Sequence, residues 1–459
     1  MSDALAYDLK ARAKIDQLFT STKLGRNVFS QFSHQHYLST PFGWDAVPFN
    51  PTNSARFGAT GVVFAAPSNM DYMGPPFLAL TIPGIVGLDT SGGVGAHTVI
   101  TGVTSEPYWT NAVGQVLVKK CQFKVHGRYV DEVRGYGLFF HEELCGKPGK
   151  RLGEAIGKFD TVPMRQAQSR RSRELYVPLD FWFGQHMGQV FPMCSVAGNI
   201  VTFEVDFETL ANCIIRPADF PTSNADVYVR ADGLTDAQIE AATIPSVVAD
   251  SNLSARMIVF AIVVSEAERA FTTRSRYQSV MTEHQYLDQY ESETVSSATE
   301  TTAAKAVQFR LAQLKNVVVE YQIAVRREAH ETAKDWMNFG GYDDPVSEAT
   351  LDPIKTMSIT FNNSVRVQEL PGKFFRLVVP LVVHTCIPRG FLYNWSWATD
   401  PERIDFSGAL NHNSIPEIQL NINLDKRIFL NSASVRLLGQ FPAKNMMHFS
   451  GGAVVKKFL

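Results

Sequence analysis

The 459-residue sequence is poor in charge and has no long hydrophobic run. Charged residues make up 19% of the chain, against roughly 25% in an ordinary soluble protein, and the net charge at pH 7 is −2. Because nucleic-acid binding through phosphates needs a basic excess, this balance argues against direct nucleic-acid binding. The longest uninterrupted apolar run, Met257–Val264, can form a strand but is too short to cross a bilayer.

Cysteine is scarce and scattered. The five residues are odd in number and none has C-x-x-C spacing, so the sequence predicts neither a disulfide framework nor a zinc site, and no metal or other cofactor is expected. The N-terminus lacks a basic segment followed by an apolar one, so no signal peptide is predicted. These features predict a soluble protein made in the cytosol. The cysteines are Cys121, Cys145, Cys194, Cys213 and Cys386.

The abundant residues are those of β-proteins. The chain has 31 Phe, 31 Gly and 23 Pro, a composition that favours an all-β fold. Apolar and polar residues alternate in segments 121–125, 201–207 and 418–424, which predicts strands with one buried face. His126-Gly127 and Asn362-Asn363 are suited to tight hairpin turns.

Two stretches half a chain apart are similar. Phe123–Glu132 followed by 137–141 resembles Ile359–Glu369 followed by 372–376. Val125 aligns with Phe361 and Phe139 with Phe374, at separations of 236 and 235 residues. A repeat at half the chain length predicts two copies of one domain rather than a solenoid, whose repeats are roughly 20 to 50 residues long.

The boundary between the two copies is predicted just after Val264. The apolar run Met257–Val264 is predicted to be a buried strand. Ser265 is then a suitable helix N-cap, with Glu266 and Glu268 in the first turn, so a short helical linker is expected.

No catalytic set of residues is predicted. Gly146–Lys150 is two residues short of a phosphate-binding loop and is followed by Arg151. His34 and His36 lack a third metal ligand nearby, and His141-Glu142-Glu143 lacks the second histidine of a zinc-protease motif. The cluster Arg165, Arg170, Arg171 and Arg173 is expected to be a solvated or inter-subunit loop, with a phosphate or sulfated-sugar site as the alternative.

Several motifs, in this order, resemble those of the major capsid proteins of large nucleocytoplasmic DNA viruses, over nearly the whole chain. The motifs are Pro178–Phe183, Glu266–Phe271, Asp335–Phe339, Leu370–Phe375 with His384-Thr385, Ser407–Asn411 and Asn445–Ala453.

This resemblance implies an all-β double jelly roll, with two eight-stranded antiparallel sandwiches in tandem and short helices in the linker and loops. The expected organisation is an N-terminal arm at 1–25, a first jelly roll at 26–264, a helical linker at 265–276 and a second jelly roll at 277–459. It further implies a non-enzymatic protein whose homotrimers are pseudo-hexagonal capsomers that tile an icosahedral capsid.

The expected partners are other copies of the chain, minor capsid and penton proteins, and an inner viral membrane beneath the capsid. The protein is expected in the virion capsid, after synthesis and assembly in the host cytoplasm. The arm 1–25 has an apolar helical stripe and basic residues, and we expect it to face the particle interior. Loops 141–173, 217–255 and 327–353 are expected to include the outward tower and the inter-subunit contacts.

The alternative is a jelly-roll carbohydrate-binding or host-attachment protein of the virion. The aromatic strand at Phe391, Tyr393, Trp395 and Trp397 would be its stacking platform. That function needs Trp395 or Trp397 to face solvent in a groove, whereas the capsid function allows both to be buried.

Overall fold

The structure is a computed structural model. It describes residues 39–89, 98–99, 106–146, 152–216, 227–230, 253–295, 304–340, 352–429 and 434–458. Residues Phe42–Leu459 form one compact unit, and Met1–Pro41 is a separate one. The predicted arm 1–25, the pair His34 and His36, and most of loop 217–255 lie outside the described residues.

Strands dominate the described residues. In chain order they are β1 (Phe42–Phe49), β2 (Val62–Ala65), β3 (Tyr72–Ile82), β4 (Gly84–Asp89), β5 (Thr98–Val99), β6 (Tyr108–Trp109), β7 (Val118–Val125), β8 (Arg128–Val133), β9 (Arg173–Pro178), β10 (Val201–Phe207), β11 (Ile214–Ile215), β12 (Val227–Arg230), β13 (Ser254–Val264), β14 (Tyr277–Ser292), β15 (Ala304–Arg310), β16 (Val317–Val318), β17 (Glu320–Arg327), β18 (Ile354–Phe361), β19 (Ser364–Pro371), β20 (Leu392–Ser396), β21 (Leu410–Asn411), β22 (Ile418–Asp425), β23 (Ser434–Ser450) and β24 (Ala453–Lys456).

The helices of the described residues are short. The α-helices are α1 (Val113–Leu117), α2 (Gly135–Cys145), α3 (Gly153–Ile156), α4 (Val162–Ser169), α5 (Trp182–Gln185), α6 (Leu210–Cys213), α7 (Glu266–Arg274), α8 (Glu328–Thr332) and α9 (Val379–Val383). A π-helical segment, Phe374–Val378, directly precedes α9, and single 3-10 turns lie at Met187–Gln189, Met193–Ser195, Ala197–Asn199, His412–Ser414 and Lys426–Phe429. None of the helices within the described ranges is both long enough and apolar enough to span a membrane.

The first half of the chain is a jelly roll. Its two four-stranded sheets have the strand orders β1-β13-β3-β9 and β2-β10-β7-β8, with antiparallel pairing throughout. The first and last of these eight strands are neighbours in one sheet, and the second and seventh are neighbours in the other. This nesting is the jelly-roll topology.

The second half repeats the same topology. One sheet contains β14, β23, β17 and β20 in that order, and the other is β15-β22-β18-β19. When the eight strands of each roll are numbered in chain order, strands with the same number occupy the same position in the two rolls. The predicted all-β double jelly roll is confirmed, and the small strands β16, β21 and β24 extend the β23 sheet.

The sequence repeat coincides with one structural unit in each roll. β7 and β8 are joined by His126-Gly127, and β18 and β19 by Asn362-Asn363, with positive φ at all four residues, from 48° to 73°. This is the type I′ hairpin turn, whose twist matches the strands that it joins. A helix follows each hairpin, beginning at Gly135 in the first roll and at Gly372 in the second.

The three alternating segments are confirmed as β7, β10 and β22, whose apolar residues face the cores. The prediction for Met257–Val264 was wrong in part. The segment lies within the strand β13, but only alternate residues are buried, and Val263 is exposed. A strand of an antiparallel sandwich has one face on the core, so Phe260 faces outward, where its ring contacts Trp44 with centroids 5.3 Å apart.

The linker helix is present where it was predicted. α7 begins after Ser265, whose hydroxyl accepts a hydrogen bond from the Glu268 backbone N–H at 3.4 Å. Glu266 and Glu268 lie in its first turn and Arg274 in its last, as favoured by the helix dipole. The loop segments are more structured than expected, since 141–173 contains α3 and α4, and 327–353 begins with α8.

Aromatic rings fill the first core around Phe123. Five rings have centroids 5.0–5.7 Å from the Phe123 centroid, namely Phe181, Trp182, Phe183, Phe191 and Phe203. The same core cluster continues into the second half of the chain through Met281, Leu438 and Phe449, whereas a separate cluster fills the second sandwich. The two rolls therefore share buried apolar surface.

Gly135 and Gly372 generate a first prediction. A Cβ on Gly135 would lie 2.1 Å from the Gln115 carbonyl oxygen, and one on Gly372 would lie 2.0 Å from the Ile354 carbonyl oxygen. Each helix start is therefore pressed against backbone. Gly135→Ala and Gly372→Ala should each destabilise the protein by about 1–3 kcal/mol or more, measured as a lower midpoint of thermal unfolding. Gly390→Ala is the control, since its Cβ meets nothing within 4 Å; equal effects at all three positions would contradict the explanation.

Candidate functional site: the contact between the two jelly rolls

The helix α2 of the first roll is the centre of the contact with the second roll. Its apolar residues Leu138, Phe139, Phe140 and Leu144 are all buried. The rings of Phe139 and Phe140 lie 5.7 Å and 5.4 Å from the ring of Phe339, which belongs to the second half of the chain. This is the physical reason for the apolar helix after the first hairpin: one of its faces is covered by the other roll.

The absence of a side chain at Gly137 allows this approach. A Cβ there would lie 2.7 Å from both the Gln440 amide oxygen and the Tyr286 hydroxyl. The Tyr286 hydroxyl also accepts a hydrogen bond from the Arg134 backbone N–H at 3.2 Å. The start of α2 thus lies directly on strands β14 and β23 of the second roll.

A buried ion pair joins strand β8 to strand β14. The Asp131 side chain is fully buried and that of His284 is 3% exposed. One Asp131 oxygen accepts the His284 backbone N–H at 2.9 Å, and the other lies 3.1 Å from His284 Nδ1. Burial alone would lower the pKa of His284, but the Asp131 carboxyl, and more weakly Asp180, raise it above its ordinary value.

A second polar link lies beside the first. The Tyr136 hydroxyl donates to an Asp288 oxygen at 3.0 Å, and Arg436 Nη2 donates to the other at 2.6 Å. Burial raises the pKa of the Tyr136 phenol far above its ordinary value, and Asp288 raises it further. Tyr136 is therefore a hydrogen-bond donor at every physiological pH.

The motif Asp335–Phe339, which carried part of the family resemblance, makes a third link. The Trp336 indole N–H donates to the Asn212 carbonyl at 2.6 Å, and the Lys334 ammonium donates to the Asn212 side chain at 3.1 Å. In return, the Thr110 hydroxyl donates to the Lys334 carbonyl at 2.7 Å. This segment of the second roll is thus held on the first.

The segment after α9 docks on the end of α2. The Cys386 backbone N–H donates to the Leu144 carbonyl at 2.9 Å, and the Arg389 backbone N–H donates to Glu143 at 2.8 Å. The fully buried His384 imidazole lies between the Glu320 and Glu402 carboxyls, at 2.8 Å and 3.1 Å. Burial alone would lower the pKa of His384, but these groups raise it to about 12.

The arginines of the cluster considered above as a possible phosphate site contact neighbouring side chains. Arg170 makes a bidentate pair with Glu106, at 2.8 Å and 2.9 Å. The guanidinium groups of Arg165 and Arg173 lie over the rings of Tyr108 and Phe159. These contacts do not favour the phosphate or sulfated-sugar alternative for the arginine cluster.

The histidine–glutamate motif at 141–143 is also structural. His141 pairs with Asp180 at 2.8 Å, and both Glu142 and Glu143 contact the Lys158 ammonium. Gly146 follows the last residue of α2, and residues 147–151 of the phosphate-loop-like segment lie outside the described residues.

The aromatic strand β20 does not form an exposed platform. Trp395 and Trp397 are half-buried, and the Nε1 atom of each indole is buried. The Trp395 ring packs against Phe375 and the Trp397 ring against Tyr321, with centroids 5.9 Å and 5.7 Å apart. Stacking on a sugar needs an open ring face. The carbohydrate-binding alternative, which was based on an exposed aromatic platform at Trp395 and Trp397, is therefore not supported by this strand.

Sequence reasoning missed the polar pairs of this contact. Asp131 and His284 are separated by 153 residues, and Glu143 and Arg389 by 246. The sequence of β8 gave no signal for Asp131, because its buried residues, Val130, Asp131 and Val133, do not alternate with exposed ones.

Comparison with known proteins agrees with this architecture. Residues 268–446 match the family described as large eukaryotic DNA virus major capsid protein, and residues 30–247 match the major capsid protein N-terminus. The major capsid protein of Spodoptera frugiperda ascovirus 1a is 24% identical over 371 residues, which are 79% of this chain and 74% of that protein. The probable capsid protein 4 of Acanthamoeba polyphaga mimivirus is 22% identical over 177 residues, 38% of this chain and only 32% of that protein.

Among solved structures, a quasi-atomic model of the PBCV-1 virus capsid matches with a TM-score of 0.71 at 13% identity. The match covers 94% of this chain and 100% of that chain, and at this identity it demonstrates the fold alone. The fold and the paired rolls define a double jelly-roll protein. The chain belongs to the major capsid proteins of large eukaryotic DNA viruses, whose two family regions together cover most of its length. It is a structural component of the virion capsid and not an enzyme.

The His284 pair generates a second prediction. Because the folded-state pKa of His284 is raised, the stability that its charge contributes is complete below the ordinary value of 6.5 and is lost as pH rises through the raised pKa. His284→Gln should be less stable than the wild type by roughly 3 kcal/mol at pH 6, because one partner of a buried pair is removed. The difference in thermal midpoint should shrink as pH rises above 6.5. A constant difference from pH 6 to pH 9 would contradict a charged His284.

Proposed function

We propose that this major capsid protein forms homotrimers of pseudo-hexagonal outline, which act as capsomers and tile an icosahedral capsid. The main support for the proposal is that two equivalent helices differ in how far they are buried. Each helix follows the fifth strand of its roll and precedes the sixth. The α2 helix is covered by the second roll of the same chain, but its counterpart, the π-helical segment with α9, is largely bare.

The bare face is aliphatic. Leu381 is 65% exposed and Val382 is 74% exposed, and Leu377 and Val378 beside them are also exposed. Phe375 and Val379 hold the other side of the helix on the second core. Burial of the exposed parts of these four side chains favours association, by roughly 25 cal/mol for each Å² of apolar surface removed from water.

The occupant that fits this face is the first roll of another copy. Inside one chain, the helix of the first roll packs on the second roll. If the helix of the second roll packs in the same manner on the first roll of a neighbouring chain, the contact is heterologous, which means that it joins unlike surfaces. Repeated contacts of this kind form a ring when the rotation from one chain to the next returns to the first chain. Three chains supply six equivalent rolls, and each helix in the ring is then covered.

The further partners follow from the family and remain part of the proposal. Capsomers contact one another, minor capsid and penton proteins, and an inner viral membrane beneath the shell, after assembly in the host cytoplasm. The segments 141–173, 217–255 and 327–353 contribute the outward tower and inter-subunit contacts. The net charge of −2 supports the absence of direct nucleic-acid binding.

The trimer is tested by charge placed on the bare helix. Light scattering of the purified chain should give about three times 51.0 kDa. Leu381→Glu with Val382→Glu should give a folded monomer, because buried unpaired carboxylates are costly. Ile200→Glu is the control, since Ile200 is also exposed, at 55%, but lies near the β7–β8 turn. A monodisperse wild-type monomer would overturn the proposal, and loss of the trimer in the control alone would place the contact elsewhere.

The N-terminal arm is tested by deletion. Residues 1–25 combine an apolar stripe (Ala4, Tyr7, Ala11, Ile15, Leu18) with basic residues, which suits an anionic partner under the shell. Removal of residues 1–25 should leave trimers of normal thermal stability, because the compact unit Phe42–Leu459 does not include these residues. Particle assembly and attachment to membrane should be reduced. Normal particles with unchanged attachment would refute the anchoring role.

A further inference from the structure

A thiol, an imidazole and a carboxyl converge where the end of α2 meets the second roll. The ligand atoms of Cys145, His384 and Glu402 all lie within 4.8 Å of one another. Cys145 Sγ is 4.0 Å from His384 Nδ1, and that nitrogen is 3.1 Å from Glu402 Oε1. Cys145 comes from the first roll, and the other two residues come from the second.

These distances are close to those of a tetrahedral zinc site. Zinc bonds of about 2.3 Å to sulfur and 2.0–2.2 Å to nitrogen and oxygen place sulfur and nitrogen about 3.5 Å apart, and nitrogen and oxygen about 3.3 Å apart. The observed sulfur–nitrogen separation is about 0.5 Å longer than this and the nitrogen–oxygen separation about 0.2 Å shorter, and the Cys145 sulfur and the Glu402 oxygen lie within 4.8 Å of each other. Thiolate and imidazole ligands favour zinc over magnesium or calcium.

The surrounding groups orient two of the three ligands. His384 Nε2 is 2.8 Å from Glu320 Oε2, which leaves Nδ1 directed at the other two ligand residues. Glu320 is in turn fixed by the Asn394 side-chain N–H at 2.8 Å. The Thr385 backbone N–H and hydroxyl both donate to the Glu402 carboxyl, at 2.8 Å and 2.5 Å. A carboxylate on the outer nitrogen of a histidine is the usual support of a zinc-bound imidazole.

We propose that Cys145, His384 and Glu402 bind one zinc-class divalent cation, which joins the end of α2 to the second roll. The cation takes the place of the proton between His384 Nδ1 and Glu402, and it binds Cys145 as the thiolate. Both protons leave to solvent. The Glu402 side chain is 25% exposed, so the fourth position is open to a water molecule on that side.

The position of the ligands gives the cation a structural role. Cys145 and His384 are 239 residues apart, so their convergence requires both rolls to be folded and in contact. A cation that binds this arrangement, and not the unfolded chain, stabilises the contact. This inference does not depend on trimer formation, because all three ligands belong to one chain.

Cobalt(II) titration of the chelator-treated full-length protein tests the site. Thiolate-to-cobalt charge transfer should appear in the near ultraviolet, saturate at one ion per chain and be displaced by zinc. Cys145→Ser should abolish the band, and Glu402→Gln should weaken binding at least about ten-fold. The control is Cys386→Ser, which removes a neighbouring thiol whose Sγ bonds the Gly146 carbonyl and is not among the ligands.

Thermal unfolding supplies a second measurement. Zinc should raise the midpoint of the wild type and of Cys386→Ser, but not that of Cys145→Ser. Each variant is compared with itself in chelator, so a variant that is merely less stable does not mimic the result. Absence of the charge-transfer band in the wild type, its persistence in Cys145→Ser, or its loss in Cys386→Ser would overturn the assignment.

Discussion

The architecture depends on the burial of one apolar helix, which follows the fifth strand of the first roll. In the first roll this helix is α2, and the second roll covers it through Phe339, Tyr286 and Gln440. The contact is close because Gly137 lacks a side chain. It fixes the angle between the rolls, since a helix pressed between two sandwiches leaves little freedom to rotate. A capsid lattice needs such a building block, whose shape does not change from copy to copy.

The contact is polar as well as apolar, which affects specificity more than stability. The Asp131–His284 pair, which joins the two rolls, is almost completely buried. Buried ion pairs add little net free energy compared with apolar side chains of the same shape, but loss of one partner costs about 3–5 kcal/mol. A displaced arrangement of the rolls would leave Asp131 without its partner. The Asp131–His284 pair therefore acts against wrong arrangements, while Phe139, Phe140 and their neighbours supply the hydrophobic gain.

Much of the fold could be predicted from sequence because its signals are local. Alternation along 201–207 and 418–424 sets which face of a strand is buried, and His126-Gly127 and Asn362-Asn363 determine the hairpins. The contact between rolls could not be predicted, because it depends on pairs that are far apart in sequence, such as Cys145 and His384, which are 239 residues apart. The outward aromatic face of β13 was missed for a related reason. An apolar run shows that residues avoid water, but it does not show whether their neighbours are the core or, as for Phe260, other surface rings.

In the proposed trimer, covalent linkage of two equivalent rolls changes the energetics of ring formation. Six separate rolls would need six intermolecular contacts, each with its own loss of translational freedom. In one chain, the linker that contains α7 keeps the two rolls close together, at a high effective concentration. The contact through α2 therefore forms within the chain, and only the contact through the second helix has to form between molecules. Both helices carry the repeated pair of phenylalanines, Phe139-Phe140 in α2 and Phe374-Phe375 in the second helix. The exposed Leu381 and Val382 lie beyond this repeat, and because α2 ends at Cys145, the residues of the proposed contact between molecules have no counterpart in α2.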